Sequence, residues 1–239
     1  MLLTVNDIKF AYTDKLVLQN ISFHVSEGDL FAILGPNAAG KTTLIKLLTG
    51  QLQNQEGHIW ISGVQADNGT SIALKKEIGT MWELSGVYLK MTGYEYLSFI
   101  ASLYDIPKED IPNRIRFLAE KYKITDELHR KISKYSMGTK KKVEFCAAII
   151  HNPKLLFLDE PFESVDPSVT YEMKQFLHEY VQSGCAVIIT SHILDIIQNL
   201  CNRYIIIDHG SVIDAGDVND TVNLEARFME VAGDVAEKQ

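Results

Sequence analysis

The chain has 239 residues, of which 46% are hydrophobic and 23% charged, and its formal net charge is −8. This composition is typical of a folded globular protein with a substantial core, because disordered chains are poorer in apolar residues. The negative balance and the lack of a Lys/Arg-rich stripe disfavour direct binding to nucleic acid. No signal peptide is visible, and no apolar run approaches the roughly 18 residues of a membrane helix. We therefore expect a cytoplasmic protein whose contact with any membrane depends on another chain.

The three cysteines are scattered without the spacing of a metal site. Cys146, Cys185 and Cys201 lie in apolar surroundings, so we predict that they are buried, reduced thiols. Such thiols suit a reducing compartment.

The first third of the chain is predicted to contain strands and one phosphate-binding loop. Glu27-Gly28-Asp29 is predicted to form a hairpin turn, and Leu30–Leu34 is typical of a strand buried on both faces. The pattern G-x-x-x-x-G-K-[ST] follows directly and opens a helix that ends near Gly50. Its residues are Gly35, Pro36, Asn37, Ala38, Ala39, Gly40, Lys41 and Thr42, and Thr43 comes next.

Each part of this loop has a physical reason to bind phosphate. Glycines let backbone N–H groups turn towards phosphate oxygens without a Cβ in the way. Lys41 brings a positive charge to the β- and γ-phosphates, and Thr42 offers a hydroxyl to Mg²⁺. The N-terminus of the following helix attracts the same anion. The sequence therefore predicts a nucleotide site, and a Gly-rich turn that binds nothing is the disfavoured alternative.

From about Thr92 to Ile132 the pattern becomes helical. Thr92 and Glu95 fit a capping box, and apolar residues recur at helical spacing after them. We predict a helical lobe at about residues 84–150, inserted into a single domain of residues 1–232. Residues 233–239 are predicted to form a tail.

The chain then returns to alternating strands and helices. Leu155–Leu158 is an apolar strand run, and Asp159 and Glu160 follow it. Carboxylates at that end of a buried strand lie where ligands bind in parallel sheets. Asp159 can hold Mg²⁺, usually through water, and Glu160 can orient and deprotonate an attacking water. For this pair taken alone, an acidic turn without a function is an equal alternative.

Several motifs, in a fixed order, resemble those of the ATP-binding-cassette (ABC) ATPases. The segment Ser136, Met137, Gly138 and Thr139 resembles the signature motif, which is usually L-S-G-G-Q. Phe162–Asp166 resembles the D-loop, and Thr190-Ser191-His192 resembles the segment of the switch histidine. The resemblance extends from about residue 2 to residue 232. It implies an α/β fold of the P-loop NTPase, ABC ATPase type, with a mixed β core and an inserted helical lobe.

The resemblance also implies roles for individual residues. Lys41, Glu160 and His192 would be catalytic, and Tyr12 would stack on adenine. Thr42, Asp159 and Glu83 would lie at the Mg²⁺ ion, with Asp166 in the D-loop. The signature Ser136 would meet the γ-phosphate of ATP held by another subunit. Without the resemblance, Tyr12 is more simply an edge-strand aromatic and His192 a structural histidine.

Some positions depart from the family pattern. Met137 and Thr139 replace the usual Gly and Gln of the signature. Ala38 and Ala39 stand where Gly or Ser is usual. Glu83 stands where a Gln normally contacts Mg²⁺ and the membrane domain, although a carboxylate can still reach the ion.

The function that the resemblance implies is that of the ATP-hydrolysing, energy-coupling subunit of a membrane transporter. Two cassettes, in a homodimer or a heterodimer, would close head to tail on ATP beside an integral membrane permease, at the inner face of the cell membrane. The short single-cassette design and Glu83 favour an exporter. The alternative is a soluble ABC-type mechanochemical ATPase, but the segment before Ser136 lacks the heptads of the chromosome type. An unrelated P-loop kinase or GTPase would not explain Ser136 or His192.

Overall fold

A computed structural model describes residues 1–53, 56–66, 71–82, 88–219 and 223–236. The strands are β1 Leu3–Ala11, β2 Leu16–Val25, β3 Leu30–Leu34, β4 Glu56–Ile61, β5 Val64–Gln65, β6 Ile78–Met81, β7 Leu155–Asp159, β8 Ala186–Ser191, β9 Arg203–Asp208 and β10 Ser211–Asp217. The α-helices are α1 Lys41–Leu48, α2 Ile72–Glu77, α3 Gly93–Leu103, α4 Ile111–Lys121, α5 Met137–Ile149, α6 Pro167–Gln182, α7 Leu194–Gln198 and α8 Leu224–Ala236.

The central sheet has the strand order β10-β9-β3-β8-β7-β6. Its strands from β9 to β6 pair in parallel, and β10 is an antiparallel edge. Leu34 is level with Ser191, and Asp159 is level with Thr190. The carboxyl ends of β3, β7 and β8 therefore meet at one edge, where the phosphate loop, Glu160 and His192 follow them.

The first part of the chain forms a second, antiparallel sheet of order β2-β1-β4-β5. The predicted hairpin at Glu27–Asp29 is therefore wrong, because β2 and β3 belong to different sheets. The turn is real, and Gly28 adopts a φ of 83° there. It carries the chain from a half-exposed strand into one that is buried along its whole length.

The buried strands separate two groups of apolar side chains. Phe157 of β7 joins the group around α1 and the antiparallel sheet. Leu156 and Leu158 point the other way, into a group that includes Leu97 of α3 and Phe176 of α6. This alternation explains the unbroken apolar run of β7, because both faces of the strand are covered.

The helical lobe lies between β6 and β7 in the chain. Its first helix begins with the predicted capping box: the Thr92 N–H donates to Glu95 Oε2 at 2.8 Å, and the Glu95 N–H donates to Thr92 Oγ1 at 3.2 Å. Helix α6 begins at Pro167 after Asp166, which suits a proline at the first helical position. Helix α8 continues through Ala236, so it extends into the segment predicted as a tail. No helix in the described ranges is long and apolar enough to cross a bilayer.

Two of the three cysteines occupy the predicted environment. Cys146 and Cys201 are buried, and burial raises the pKa of both thiols. Cys185 is only partly buried, so the prediction of a buried thiol is wrong there. It follows Gly184 in the turn that leads into β8, where fewer side chains cover it.

His151 joins the end of the lobe to the central sheet. Its ring stacks on Tyr104, with centroids 3.5 Å apart and planes 5° apart, and its Nε2 lies 2.9 Å from the carbonyl oxygen of Ile78. A carbonyl only accepts, so Nε2 carries the proton that is donated. Burial lowers the pKa of His151 to about 4. The imidazole is therefore neutral at neutral pH.

We predict that His151 makes the folded protein less stable in mild acid. Below a pH of about 6.5 the unfolded chain gains a proton at His151, but the folded chain does not until about pH 4. The free energy of unfolding should thus fall by up to about 2 kcal/mol between about pH 7 and pH 5. Urea unfolding of His151→Phe, which keeps a stacking ring, should show a flatter dependence on pH. The exposed His209→Asn variant should keep the wild-type slope, and equal slopes for all three proteins would contradict the prediction.

Candidate nucleotide-binding site

The backbone conformation of the loop between β3 and α1 restricts which residue types can occupy it. Ala38 and Gly40 adopt φ values of 65° and 108°, in the left-handed region. A Cβ on Gly35 would lie 2.2 Å from the Ile207 carbonyl oxygen, and one on Gly40 would lie 2.7 Å from Leu18 Cδ2. Close packing against the backbone therefore requires glycine at position 35, and the left-handed φ favours glycine at position 40. Ala38 takes a conformation that costs an L-residue about 1 kcal/mol, and such turns direct backbone N–H groups into an anion-binding concavity.

Lys41 folds back across this loop. Its side chain is 7% exposed, and Nζ donates to the carbonyl oxygens of Gly35 at 2.7 Å and Pro36 at 3.2 Å. Nζ also lies 3.7 Å from Glu160 Oε1. The phosphate loop and Glu160 line one cavity of about 360 Å³. The only charge that the loop itself contributes to this cavity is thus the ammonium of Lys41.

Asp159 is held by hydroxyl groups on both sides. Thr42 Oγ1 donates to Asp159 Oδ2 at 3.0 Å, and Thr190 Oγ1 donates to Asp159 Oδ1. The same Thr190 oxygen accepts the backbone N–H of Glu160 at 3.0 Å. Thr190 is fully buried, so these bonds fix the end of β7 against β8. No role is predicted for Thr190 from the sequence, although a hydroxyl that ends an apolar strand run is a visible signal.

Glu160 lies between a lysine and a histidine. Its backbone has a φ of 46°, and its Oε2 is 3.1 Å from His192 Nδ1. His192 is half exposed, with 46% of its side chain accessible. A carboxylate held between a lysine and an accessible histidine can accept a proton from a water bound beside it. The structure therefore brings together the three residues predicted to be catalytic.

The hard oxygens at this site fit a magnesium ion. Thr42 Oγ1 and Asp159 are hydrogen-bonded neighbours at the mouth of the loop. In the described ranges, no group of three or more His, Cys, Asp or Glu residues could hold a metal ion by itself. Mg²⁺ typically uses one or two protein oxygens together with substrate phosphates and water, so the donor set fits. The third predicted ligand, Glu83, lies outside the described residues and stays a prediction.

Tyr12 lies beside the phosphate loop. Its hydroxyl oxygen is 3.4 Å from Thr43 Oγ1, and its ring packs edge-on against Phe10 with centroids 4.9 Å apart. The side chain is 57% exposed. Much of the ring thus remains free for a planar ligand.

One signature-like residue, Met137, lines a different cavity. Ser136 caps α5, and its Oγ accepts the Thr139 N–H at 3.1 Å. Met137 is 50% exposed and borders a cavity of about 220 Å³ that includes the D-loop residues Glu163 and Ser164. A Cβ on Gly138 would lie 3.2 Å from Val169 Cγ2 and 3.8 Å from Asp166 Oδ2, so α5 begins against the start of α6. Ser136 is not among the described residues that line the cavity of Lys41.

Comparison with known proteins gives a consistent result. The protein-family model described as ABC transporter matches residues 18–163. An uncharacterized ABC transporter ATP-binding protein of Methanocaldococcus jannaschii is 32% identical over 216 residues, which cover 90% of this chain and 78% of that protein. The linearmycin resistance ATP-binding protein LnrL of Bacillus subtilis is 32% identical over 219 residues, which cover 92% of this chain and 70% of LnrL. A solved ATP-binding subunit of an ABC transporter is 26% identical, with a TM-score of 0.88 over 97% of this chain and 100% of its own.

Proposed function

The chain belongs to the ABC transporter family as an ATP-binding subunit that hydrolyses ATP, and from this we propose that two cassettes close head to tail on ATP to drive a membrane permease. The family, the fold class and the ATPase activity predicted from the sequence are confirmed. One observation carries the proposal: the phosphate loop and Glu160 line one cavity, whereas Met137, the neighbour of Ser136, borders another. Asp159 and His192 belong with the first cavity through their hydrogen bonds to Thr42 and Glu160. A site that needs both groups takes them from two chains.

The proposed binding of ATP uses each feature of the loop. Backbone N–H groups and Lys41 would hold the phosphates, and Tyr12 would stack on adenine, which contributes about 1–3 kcal/mol. Mg²⁺ beside Thr42 and Asp159 would neutralise charge on the phosphate oxygens. Lys41 lies 3.7 Å from Glu160 in the structure, so phosphates that draw Lys41 away would also release the carboxylate.

The proposed hydrolysis depends on Glu160 as a general base. Its backbone is fixed by Thr190, and its carboxylate contacts His192 at 3.1 Å. His192 would hold the attacking water or the γ-phosphate in line with that carboxylate. General-base catalysis typically contributes a factor of about 10²–10⁴ in rate.

The permease would bind a groove between the helical lobe and the central sheet. This groove of about 590 Å³ is bordered by Trp82, Tyr88, Tyr96, Ile100, Leu103 and Tyr104. Leu103 is 60% exposed, and Phe99, one turn earlier on α3, is 41% exposed. An exposed aromatic groove of this kind fits the apolar face of an amphipathic helix, here a cytoplasmic helix of the permease. Trp82 and Tyr88 in this lining flank residues 83–87, which lie outside the described part of the chain.

We further propose that transport is outward and that the cassette works at the cytoplasmic face of the membrane. The relative LnrL is named for resistance to linearmycin, a role that suits export. Inside-out vesicles test the direction, because an exporter fills them when ATP is added outside, whereas an importer empties them.

Glu160→Gln should keep ATP binding but lower the steady-state rate of hydrolysis by a factor of about 10²–10⁴, because an amide cannot accept the proton. Lys41→Ala should instead lose ATP binding itself. The control is Glu225→Gln, which removes an exposed carboxylate on α8 and should leave the rate unchanged. Near wild-type turnover in Glu160→Gln would remove Glu160 as the base.

Mixing two inactive variants should test whether the site is shared between chains. Lys41→Ala and Ser136→Arg homodimers each contain two damaged sites. In the mixed dimer one site carries both lesions, and the other pairs an intact Lys41 with an intact Ser136. Ultracentrifugation with a non-hydrolysable ATP analogue should therefore show dimers in the mixture only. If two variants shown to be folded give no dimers at any ratio, the head-to-tail arrangement is wrong.

Leu103→Cys should crosslink to the permease in native membranes. The background should carry Cys185→Ser, since the other two cysteines are buried. A matched control is Met229→Cys on α8, where the native side chain is 67% exposed. Crosslinks from position 103 but not from position 229 are expected. Crosslinks from position 229 alone would place the permease elsewhere.

A further inference from the structure

We propose that the Thr139 hydroxyl is a positioning group, which directs the proton of Ser136 towards the phosphates of ATP held by the second cassette. The inference rests on the shared site proposed above. It concerns a position where the chain departs from the usual Gln of the signature, so the role is specific to this sequence.

The hydrogen bonds around Ser136 allow two arrangements of the hydroxyl protons of Ser136 and Thr139. Its Oγ accepts the backbone N–H of Thr139 at 3.1 Å and lies 2.9 Å from Thr139 Oγ1. A hydroxyl oxygen has two acceptor positions and one proton. If Thr139 donates its hydroxyl proton, both acceptor positions of Ser136 are filled and only its proton faces outward. If Ser136 donates instead, its outward-facing group is a lone pair.

An approaching phosphate selects between these two arrangements. Its ionised oxygens accept hydrogen bonds and do not donate them, so a lone pair on Ser136 would repel them. The favourable order is therefore Thr139 to Ser136 to phosphate, in which each hydroxyl polarises the next. The positive end of the α5 helix lies at the same position and attracts the same anion.

No other side chain of the signature can replace Thr139. Met137 carries a thioether without a proton, and Gly138 has no side chain. In a single chain, water reaches Ser136 and can satisfy either arrangement, because Ser136 is exposed. A second cassette excludes that water, so the contribution of Thr139 should appear only when two cassettes associate.

The test compares Thr139→Val, which keeps the shape and loses the hydroxyl, with Thr139→Ser, which keeps the hydroxyl. Both are made in the Glu160→Gln chain, so that ATP is not consumed. Ultracentrifugation gives the ATP concentration for half-maximal dimerisation, and a dilute sample gives the ATP affinity of the single chain. Thr139→Val should raise the ATP concentration for half-maximal dimerisation by about tenfold, which equals about 1.4 kcal/mol. It should leave the ATP affinity of the single chain unchanged. Thr139→Ser should stay within about twofold of the parent.

A role through Ser136 also predicts that Thr139→Val causes no further loss when Ser136→Ala is present. Equal dimerisation by the Val, Ser and parent chains overturns the proposal. The proposal is also overturned if Thr139→Val weakens dimerisation as much in the Ser136→Ala background as in the parent chain. That result would show that the substitution acts on α5 in general and not through Ser136. If Ser136→Ala abolishes measurable dimers, the proposal is tested by the difference in dimerisation between Thr139→Val and Thr139→Ser, and equal dimerisation by these two variants overturns it. If ATP does not dimerise the Glu160→Gln chain, or Ser136→Ala has no effect, the shared site itself fails and the inference falls with it.

Discussion

Parallel pairing of three neighbouring strands is the constraint on which the site depends. Since β7 pairs with β8 and β8 with β3, residues far apart in the chain leave the sheet at one edge. Thr190 then links the ends of β7 and β8 through Asp159 and the Glu160 backbone. A buried hydroxyl with both partners satisfied holds these ends in fixed positions, which a loop alone would not do. The reactive groups thus owe their spacing to the sheet.

Charge is the second organising element of this edge. The ammonium of Lys41 is largely buried and is satisfied by two carbonyl oxygens of its own loop, with Glu160 near by. Burying a cation without partners would cost several kcal/mol, so these contacts stabilise the present conformation of the loop. In the proposed complex with ATP, phosphate oxygens would replace these carbonyl oxygens, because they carry full rather than partial charges.

Local patterns in the sequence were sufficient for the parts of the site that lie within one segment. The phosphate loop and the carboxylates after β7 are each contiguous, and the resemblance to ABC ATPases adds His192 and Ser136. Contacts between residues far apart in the chain could not be predicted from local patterns. The hydrogen bond from Thr190 to Asp159 joins residues 31 positions apart. The sequence of the Glu27–Asp29 turn is compatible both with two strands that pair with each other and with two strands in different sheets, as in this structure. Sequence periodicity reports whether a strand is buried, but it does not report which neighbour covers it.

The stack of His151 on Tyr104 is part of a mechanical link between the helical lobe and the central sheet. Tyr104 is part of the groove wall, and the imidazole is attached to the first residue of β6 by its bond to Ile78. A rotation of the lobe that separates His151 from β6 leaves a buried donor without an acceptor, at a cost of about 1–3 kcal/mol. The bond therefore favours the present orientation of His151 against β6. A displacement of Tyr104 in the groove wall is opposed by the same stack and hydrogen bond, because His151 links that wall to the central sheet.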